Sequence, residues 1–414
     1  MPTESITPAP SESPDISGRE FWSEVWVRYM RRPLAVAALG FILLLALIAL
    51  LAPLIAGTRP IICQYRGQIY FPFLYYFNEN WEPVVFRESP FNQYYAKWFN
   101  TDLQEVEEPD PDAETDPRLD ESRWAIWPLL YQDPRRPVEA DEQYPGAAGN
   151  PQYGPPSSRN WFGTLKDGTD VFAQLIHGTR IALLVGFVST GISAVIGIAL
   201  GAVAGYTAGM PTGSIPGLEW MEDVPGLRPV LQFFIWFRSW ADIVISRLIE
   251  VVMCVPTLVL ILAMLAVIER AGIWHVMAVI GLTGWPGIAR LTRAEFLKLS
   301  NSDYVTSARA LGASDLRIIF IHILPNALAP VMVPIAFGIA SAILAESGLS
   351  FLGFGAQPDD PSWGTLLSTG KANMKMWWLV LFPGLAIFFS VLSYNLIGEA
   401  LQEVTDPRLR EAGK

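Results

Sequence analysis

Histidine and cysteine are scarce in this chain of 414 residues, with three of one and two of the other. His177, His275 and His322 lie far apart, mostly at the ends of apolar runs, and neither HExxH nor a paired-cysteine spacing occurs. A metal site needs convergent ligands, so none is expected, and each histidine is read as interfacial or solvated. Cys63 and Cys254 sit just past one apolar run and inside another, which excludes a disulfide framework and leaves two packing residues. Phosphate loops of the form GxxxxGK[ST] and nucleophile elbows of the form GxSxG are also missing. The chain is therefore not expected to be an enzyme or to bind a cofactor, and any ATP hydrolysis must come from another chain. The first residues, MPTESITPAPSESPDISG, lack the basic and apolar stretches of a secretory signal and read as a disordered tail.

Charge is low as well. Charged residues make up 17% of the chain against 51% hydrophobic, with a mean hydropathy of +0.31, a balance that a soluble domain would sustain only with an implausibly large core. The formal charge of −11 is local, because residues 57–170 carry nineteen acidic and ten basic side chains. It says little about partners.

What is present in abundance is long apolar runs, each near the roughly 20 helical residues that cross a bilayer. Six spans follow: 34–56, 178–206, 243–268, 273–290, 327–346 and 377–400. Arg28, Arg31 and Arg32 precede the first and place the N-terminal tail (1–33) in the cytoplasm. Arg290, Arg293, Lys298, Arg309 and Arg317 likewise mark 291–326 as a cytoplasmic loop, and the tail 401–414, with Arg408, Arg410 and Lys414, agrees. In the link 207–242, inside by parity, Arg228 and Arg238 are outnumbered by Glu219, Glu222, Asp223 and Asp242. Its LQFFIWF (231–237) is too short to span and fits the interface. Gly186, Gly191, Gly197, Gly201 and Gly205 along the second span allow close approach of neighbouring helices, so this helix is expected inside the bundle within the core 171–400.

The segment 57–170 falls outside, where its length lets it cross whatever its charge. It combines aromatic, strand-like QIYFPFLYYF (68–77) with the acidic EVEEPDPDAETDPRLDES (105–122) and turn-rich NPQYGPPSS (150–158), which predicts a small extracytoplasmic subdomain with a disordered acidic loop.

Residues 303–326, DYVTSARALGASDLRIIFIHILPN, describe two short helices meeting at a bend. Asn301 or Ser302 can cap the first, Gly312 supplies a left-handed stop, Ser314 or Asp315 can cap the second, and Pro325 punctuates it. Tyr304, Ala308 and Leu311 form an apolar stripe on a polar segment, which needs a partner surface or the lipid headgroups.

The pattern Ala308, Gly312, Leu324 and Pro325 resembles the cytoplasmic EAA loop of ABC importer permeases, in the version of dipeptide and oligopeptide transporters. Thr306 and Ser307 replace the first two positions of the EAA triplet. WFGTLKDGTDVFAQLIHGTRIALLVG (161–186) is similar to the family's approach to the second span, with Leu165 and Thr169 in place of its usual Asp and Arg. RLIEVVMCVPTLVLIL (247–262), ESGLSFLGFGAQPDDPSWG (346–364) and LSYNLIGEALQEVTDPRLR (392–410) resemble further family stretches. The long insertion and the pairing of IE with PTL look like the Yej-type branch, linked to longer peptides and microcin C. The resemblance implies an all-α integral membrane fold of the type I importer permease kind, with six spans and an extracytoplasmic insertion between the first two. It implies import of peptides with a homologous second permease, two cytoplasmic ATPases carrying ATP and Mg, and an extracytoplasmic peptide-binding protein, all in a lipid bilayer and without nucleic acid. Tyr304, Ala308, Arg309, Ala310, Leu311, Gly312, Ala313, Asp315, Leu324 and Pro325 would then form the coupling surface.

Three further residues are candidates for the translocation path. Glu250, three residues after Arg247, and Glu346, beside Ser347 and Gly348 near an outer span end, are ionisable groups that are costly in a membrane unless paired or wet. Trp285 lies in Gly284-Trp285-Pro286-Gly287, where the fourth span should bend. An intramembrane protease would need two facing catalytic groups within the spans, and these candidates stand singly. A membrane anchor for 57–170 would not need the bent cytoplasmic unit.

Overall fold

The computed structural model describes residues 25–65, 68–87, 124–144, 146–209, 228–269, 271–355, 360–372 and 375–405. The tail to residue 24, the acidic stretch 105–122, the 210–227 part of the link and the tail beyond 405 lie outside them.

Helices dominate, and their ends follow local chemistry. Helix α1 (Pro33–Ile55) begins on a proline, whose missing N–H is not needed in a first turn. Helix α2 (Val171–Ala208) is capped by Asp170, whose carboxylate accepts from the Ala173 N–H at 2.8 Å and from the Asn160 amide at 2.8 Å. Helices α3 (Arg228–Cys254), α4 (Thr257–Ala266), α5 (Ile273–Ser300), α6 (Asp303–Ala310) and α7 (Leu324–Leu352) follow. Helix α8 (Trp363–Lys371) opens on a capping box between Ser362 and Thr365, and α9 (Trp378–Thr405) ends the described chain.

Among the described residues, four helical stretches are long and apolar enough to cross a membrane: α1, α2, Asp315–Leu352 and α9. The run expected as a single span at 243–268 is instead broken, with α4 turned 88° from the end of α3. Pro256 is the cause, since it has no N–H to donate and holds Val255 out of helical geometry. Counting the bent pair as one span gives five. The run 273–290 lies within α5, whose far half carries Arg290, Arg293, Glu295 and Lys298. LQFFIWF (231–237), expected at the interface, is part of the continuous helix α3.

The core is organised around α2 and α5, which run side by side in the same direction. A Cβ built on Gly197 would lie 2.9 Å from the Trp285 carbonyl oxygen, one on Gly201 2.5 Å from that of Ala289, and one on Gly205 2.4 Å from that of Arg293. No side chain fits in such a gap, and the glycines allow backbone to touch backbone. From the other side, Gly281 receives Ile192 and Gly284 receives Ser193. Two hydroxyls cross the seam, Ser189 donating to the Met277 carbonyl at 2.9 Å and Ser193 to that of Gly281 at 2.7 Å. Asp242 of α3 then pairs with Arg293 through two hydrogen bonds, Nη2 to Oδ2 at 2.8 Å and Nε to Oδ1 at 2.5 Å. This accounts for one of the acids that made the 207–242 link untidy.

Arg32, at the start of α1, forms an ion pair with Glu403 near the end of α9, and Tyr29, Ala35 and Ala400 pack beside it. The first and last long helices therefore meet at one end of the bundle.

Between α1 and α2 lies a three-stranded antiparallel sheet in the order β2 (Gln68–Tyr70), β1 (Ile62–Tyr65), β3 (Trp124–Ile126). The strand expected over 68–77 ends at Tyr70, because Pro72 opens a 3-10 helix over Pro72–Tyr76. Cys63, Tyr65 and Phe86 form the sheet's buried core, and burial pushes the Cys63 thiol up to about 12. A polar cluster pins this module to the helix ends. Thr58 Oγ1 and the Tyr76 hydroxyl both donate to Asp133 Oδ2, at 2.7 and 2.8 Å, and burial raises the phenol's pKa, with Asp133 adding to the effect. Arg180 of α2 donates to the Tyr76 carbonyl at 2.6 Å. His177, expected as interfacial or solvated, is instead buried, with Nε2 donating to the Ala56 carbonyl at 2.8 Å. The acceptor was not legible in sequence because it lies 121 residues away.

The seam makes a direct prediction. Gly201→Leu drives a side chain into the Ala289 backbone and should cost about 1–3 kcal/mol or more, as overpacking does. Gly191→Leu, on the same helix with nothing within 4 Å of its Cβ position, should be silent. Thermal unfolding of the two purified variants in mild detergent separates them, and equal midpoints would contradict the seam.

Candidate functional site

Two places carry functional geometry: the bent unit after α5, and a cavity in the middle of the bundle. In the unit, Ser302 occupies the N-cap position of α6, but its hydroxyl donates back to the Leu299 carbonyl at 2.6 Å. Ser314 precedes the turn Asp315–Arg317 and makes no side-chain cap bond either. The bend itself is a full Schellman closure. Gly312 has φ of +82°, its N–H donates to the Arg309 carbonyl at 3.0 Å, and the Ala313 N–H donates to that of Ala308 at 3.0 Å. Pro325 does not punctuate. The chain runs helically from Asp315 to Leu352, passing through a π-helical stretch over Ile318–Ile323 in which the Leu324 N–H donates to the Ile319 carbonyl. The wider turn places Pro325 in the first turn of α7, where its missing donor is tolerated.

The unit has an inner and an outer face. Val305, Ile318 and Ile323 are fully buried against Tyr206, Phe296 and Ala327. The stripe residues point the other way: Leu311 is 89% exposed, Tyr304 is exposed and Ala308 half-buried, and Leu316 continues the surface at 69%. Of the remaining sequence-predicted positions, Ala310 and Pro325 are exposed, and Arg309, Ala313, Asp315 and Leu324 are half-buried. A polar contact pins the unit to the bundle, the hydroxyl of Tyr206 donating to Asp315 Oδ1 at 2.7 Å. Tyr206 escaped the sequence reading. A tyrosine at a span end resembles an ordinary interfacial anchor, and only its place directly after Gly205 of the seam hints otherwise.

The cavity, of about 440 Å³, lies between α2, the α3–α4 break, α5 and α7. Its polar lining is hydroxyl only: Ser189, Thr190 and Ser193 from α2, with Thr257, Thr283 and Ser341 from the other walls. Sequence reading passed over these because serine and threonine between glycines look like packing residues.

The three path candidates are elsewhere. Glu250 is exposed and ion-paired with Arg247 one turn away. Glu346 is 1% exposed and accepts from Ser350 Oγ at 2.7 Å. Trp285 is buried among Ala204, Ile245, Ile249 and Ala289. None of the three lines the cavity.

Residues 231–411, which include the unit and most of the cavity wall, match the family profile of the binding-protein-dependent transport system inner membrane component. Residues 20–79 match the N-terminal TM domain of oligopeptide transport permease C. The inner membrane ABC transporter permease protein YejE of Escherichia coli (strain K12) is 32% identical over 385 residues, covering 92% of this chain and 96% of the relative. The chain belongs to the binding-protein-dependent ABC permease family. The di/tripeptide transport system permease protein DppC of Pseudomonas aeruginosa (strain UCBPP-PA14) is 36% identical over 256 residues, 62% of this chain and 74% of its own. The glutathione transport system permease protein GsiD of Pectobacterium atrosepticum is 34% identical over 256 residues, 62% and 75% of the two chains. Among solved structures, inward-facing MetNI methionine ABC transporter covers 55% of this chain and 96% of its own at 17% identity, with a TM-score of 0.40. As a family member the chain is a membrane-embedded transport component, and the enzyme and simple-anchor readings fall away.

The Tyr206–Asp315 bond predicts a local effect in this permease. Tyr206→Phe removes one hydrogen bond to a carboxylate, worth roughly 1.5–3 kcal/mol. Hydrogen exchange across 303–317 should accelerate while the seam of α2 and α5 keeps its protection. Unchanged exchange in the unit would mean that the bond does not pin it.

Proposed function

We propose that this chain is one half of a permease pair that passes peptides across the cytoplasmic membrane, with the unit 303–326 as its contact to an ATPase. The observation that carries this reading is the outer face of the unit. Leu311 and Leu316 are large, apolar and exposed on a rigid bend whose other face is packed and pinned. Such a surface needs an apolar groove on a partner. Peptide as substrate rests on the names of the relatives, among them transport systems for di/tripeptides and glutathione.

In this reading, six spans of the type I importer permease fold put both tails and the unit inside, and the sheet module outside, where a peptide-binding protein delivers substrate. The bent α3–α4 pair takes the place of the third span and α5 that of the fourth. A homologous permease completes the pore, and two ATPases bearing ATP and Mg drive it. Closure of the ATPases on nucleotide would push the unit together with α2 and α5 as one body, through Tyr206–Asp315 and the glycine seam, and alternate the path's access.

The test is association. Leu311→Asp places a carboxylate in the apolar contact and, left unpaired there, should abolish co-purification with the ATPases in mild detergent while membrane insertion persists. A cysteine at Ser302 should resist an impermeant thiol reagent in intact cells. Full ATPase association of Leu311→Asp, or external labelling at 302, would contradict the reading.

A further inference from the structure

The sheet between α1 and α2 has two unlike faces. Side chains alternate across a strand, so Ile62 and Gln64 of β1, Ile69 of β2, and Trp124 and Ile126 of β3 share one of them. Strand pairing sets Gln64 opposite both Ile69 and Trp124, and Ile62 opposite Ile126. The other face is the one closed by Cys63, Tyr65 and Phe86. On the first face Ile69 is 59% exposed, Ile126 51% and Trp124 43%. None of these five side chains is charged, and the single amide is already engaged, Gln64 Oε1 accepting from the Trp124 indole N–H. Large apolar groups gathered on an open sheet mark a contact surface.

The place of this face says what it touches. Helix α1 has 23 residues and so a length of about 34 Å, close to the roughly 30 Å of a hydrocarbon core, which puts its last turn at the boundary of that core. Leu43, Leu47, Leu50 and Leu54 fall at i, i+4, i+7 and i+11 and form one stripe of α1. The first three are exposed, whereas Ile42, Leu45 and Ala49 make the packed side. At the end of the stripe the Leu54 and Ile55 carbonyls accept from the Leu129 and Leu130 N–H groups at 3.0 and 2.9 Å, and Leu129 is 77% exposed. Ile126 lies three residues from Leu129, a reach of at most about 10 Å. The lipid-facing stripe of α1 therefore leads through Leu129 to the strand that carries Ile126 and Trp124.

We propose that the apolar face of the sheet rests on the lipid leaflet at the C-terminal end of α1, with Ile69, Trp124 and Ile126 set among the headgroups and the first acyl carbons. Backbone chemistry fixes the depth. Strands β2 and β3 are the edges of the sheet, and their outward N–H and C=O groups have no ladder partner among the described residues, which keeps the sheet out of the hydrocarbon and at the wet interface. Tryptophan favours that level. With no charge on the face, the contact is indifferent to headgroup charge. It depends on α1 spanning the bilayer and on no partner chain or substrate.

The test uses the full-length permease in phosphatidylcholine vesicles, in a background with Cys63 and Cys254 replaced by alanine. Single nitroxide labels are placed at Ile69, Ile126 or Leu129, with exposed Leu47 of α1 as the lipid reference and exposed Glu139 as the water reference. Power-saturation electron paramagnetic resonance reads how often each label meets oxygen, which concentrates in lipid, and a water-soluble nickel chelate. Labels at 69, 126 and 129 should meet oxygen more than nickel, as at 47, with the order reversed at 139, and phosphatidylglycerol vesicles should give the same pattern. Ile69 and Ile126 sit on different strands, so a label that disturbs one leaves the other to decide. An excess of nickel contact at 69 and 126 puts the face in water and overturns the proposal. Low contact with both reagents means that a protein surface covers the face, which overturns it equally, and a pattern seen only with the anionic lipid overturns its apolar basis.

Discussion

Backbone contact between α2 and α5 is the constraint on which the rest of the structure depends. Gly197, Gly201 and Gly205 are spaced four apart, so they fall on one helix face and leave it bare at those three positions. Within a bilayer the hydrophobic effect does not draw helices together, and association rests on close packing and on hydrogen bonds between them. Here the seam has both, with Ser189 and Ser193 donating to carbonyls of the facing helix. The pair fixes where α5 ends, and with it where the bent unit begins, three residues beyond Ser300.

The elements around this pair are less tightly tied. Helix α3 meets it through Asp242–Arg293 and the packing of Ile245 and Ile249 against Trp285, after which Pro256 turns the chain through 88°. The cavity opens at that turn, bounded on one side by the hydroxyl-bearing face of α2. A rigid pair on one side and a broken helix on the other give a bundle that can change the shape of the space between them without losing its core. The unit, attached to the end of α2 by Tyr206 and continuous with α7 through the π-helical stretch, touches both sides of that space.

Much of this was legible in the chain, for identifiable reasons. The long apolar runs, the glycines of α2 and the left-handed Gly312 are local signals, because a period of 3.6 or a missing Cβ acts within a few residues. The bend at Pro256 was local too, yet the apolar run that continues through it hid the break. Pro325 misled in the opposite direction, since a π-helical turn absorbed it. Contacts between distant segments stayed hidden: His177 to Ala56, Asp242 to Arg293, Tyr206 to Asp315. Two of the path candidates were chosen for charge, whereas Glu250 is satisfied by Arg247 and Glu346 by serines, and the cavity is lined by hydroxyls whose place depends on which face of a helix they occupy.

Under the proposed function, α2, α5 and the bent unit move as one body when partner ATPases close. Spin labels at Thr207 and at exposed Thr306, which lies off the proposed contact, in a background with Cys63 and Cys254 replaced, report the distance between the end of α2 and the unit. A second pair at Met253 and Ser341 spans the mouth of the cavity. Measured by double electron–electron resonance in the reconstituted transporter, the first distance should be the same with and without trapped nucleotide while the second changes. A shift of the first distance between the two states, with the second unchanged, would contradict the account.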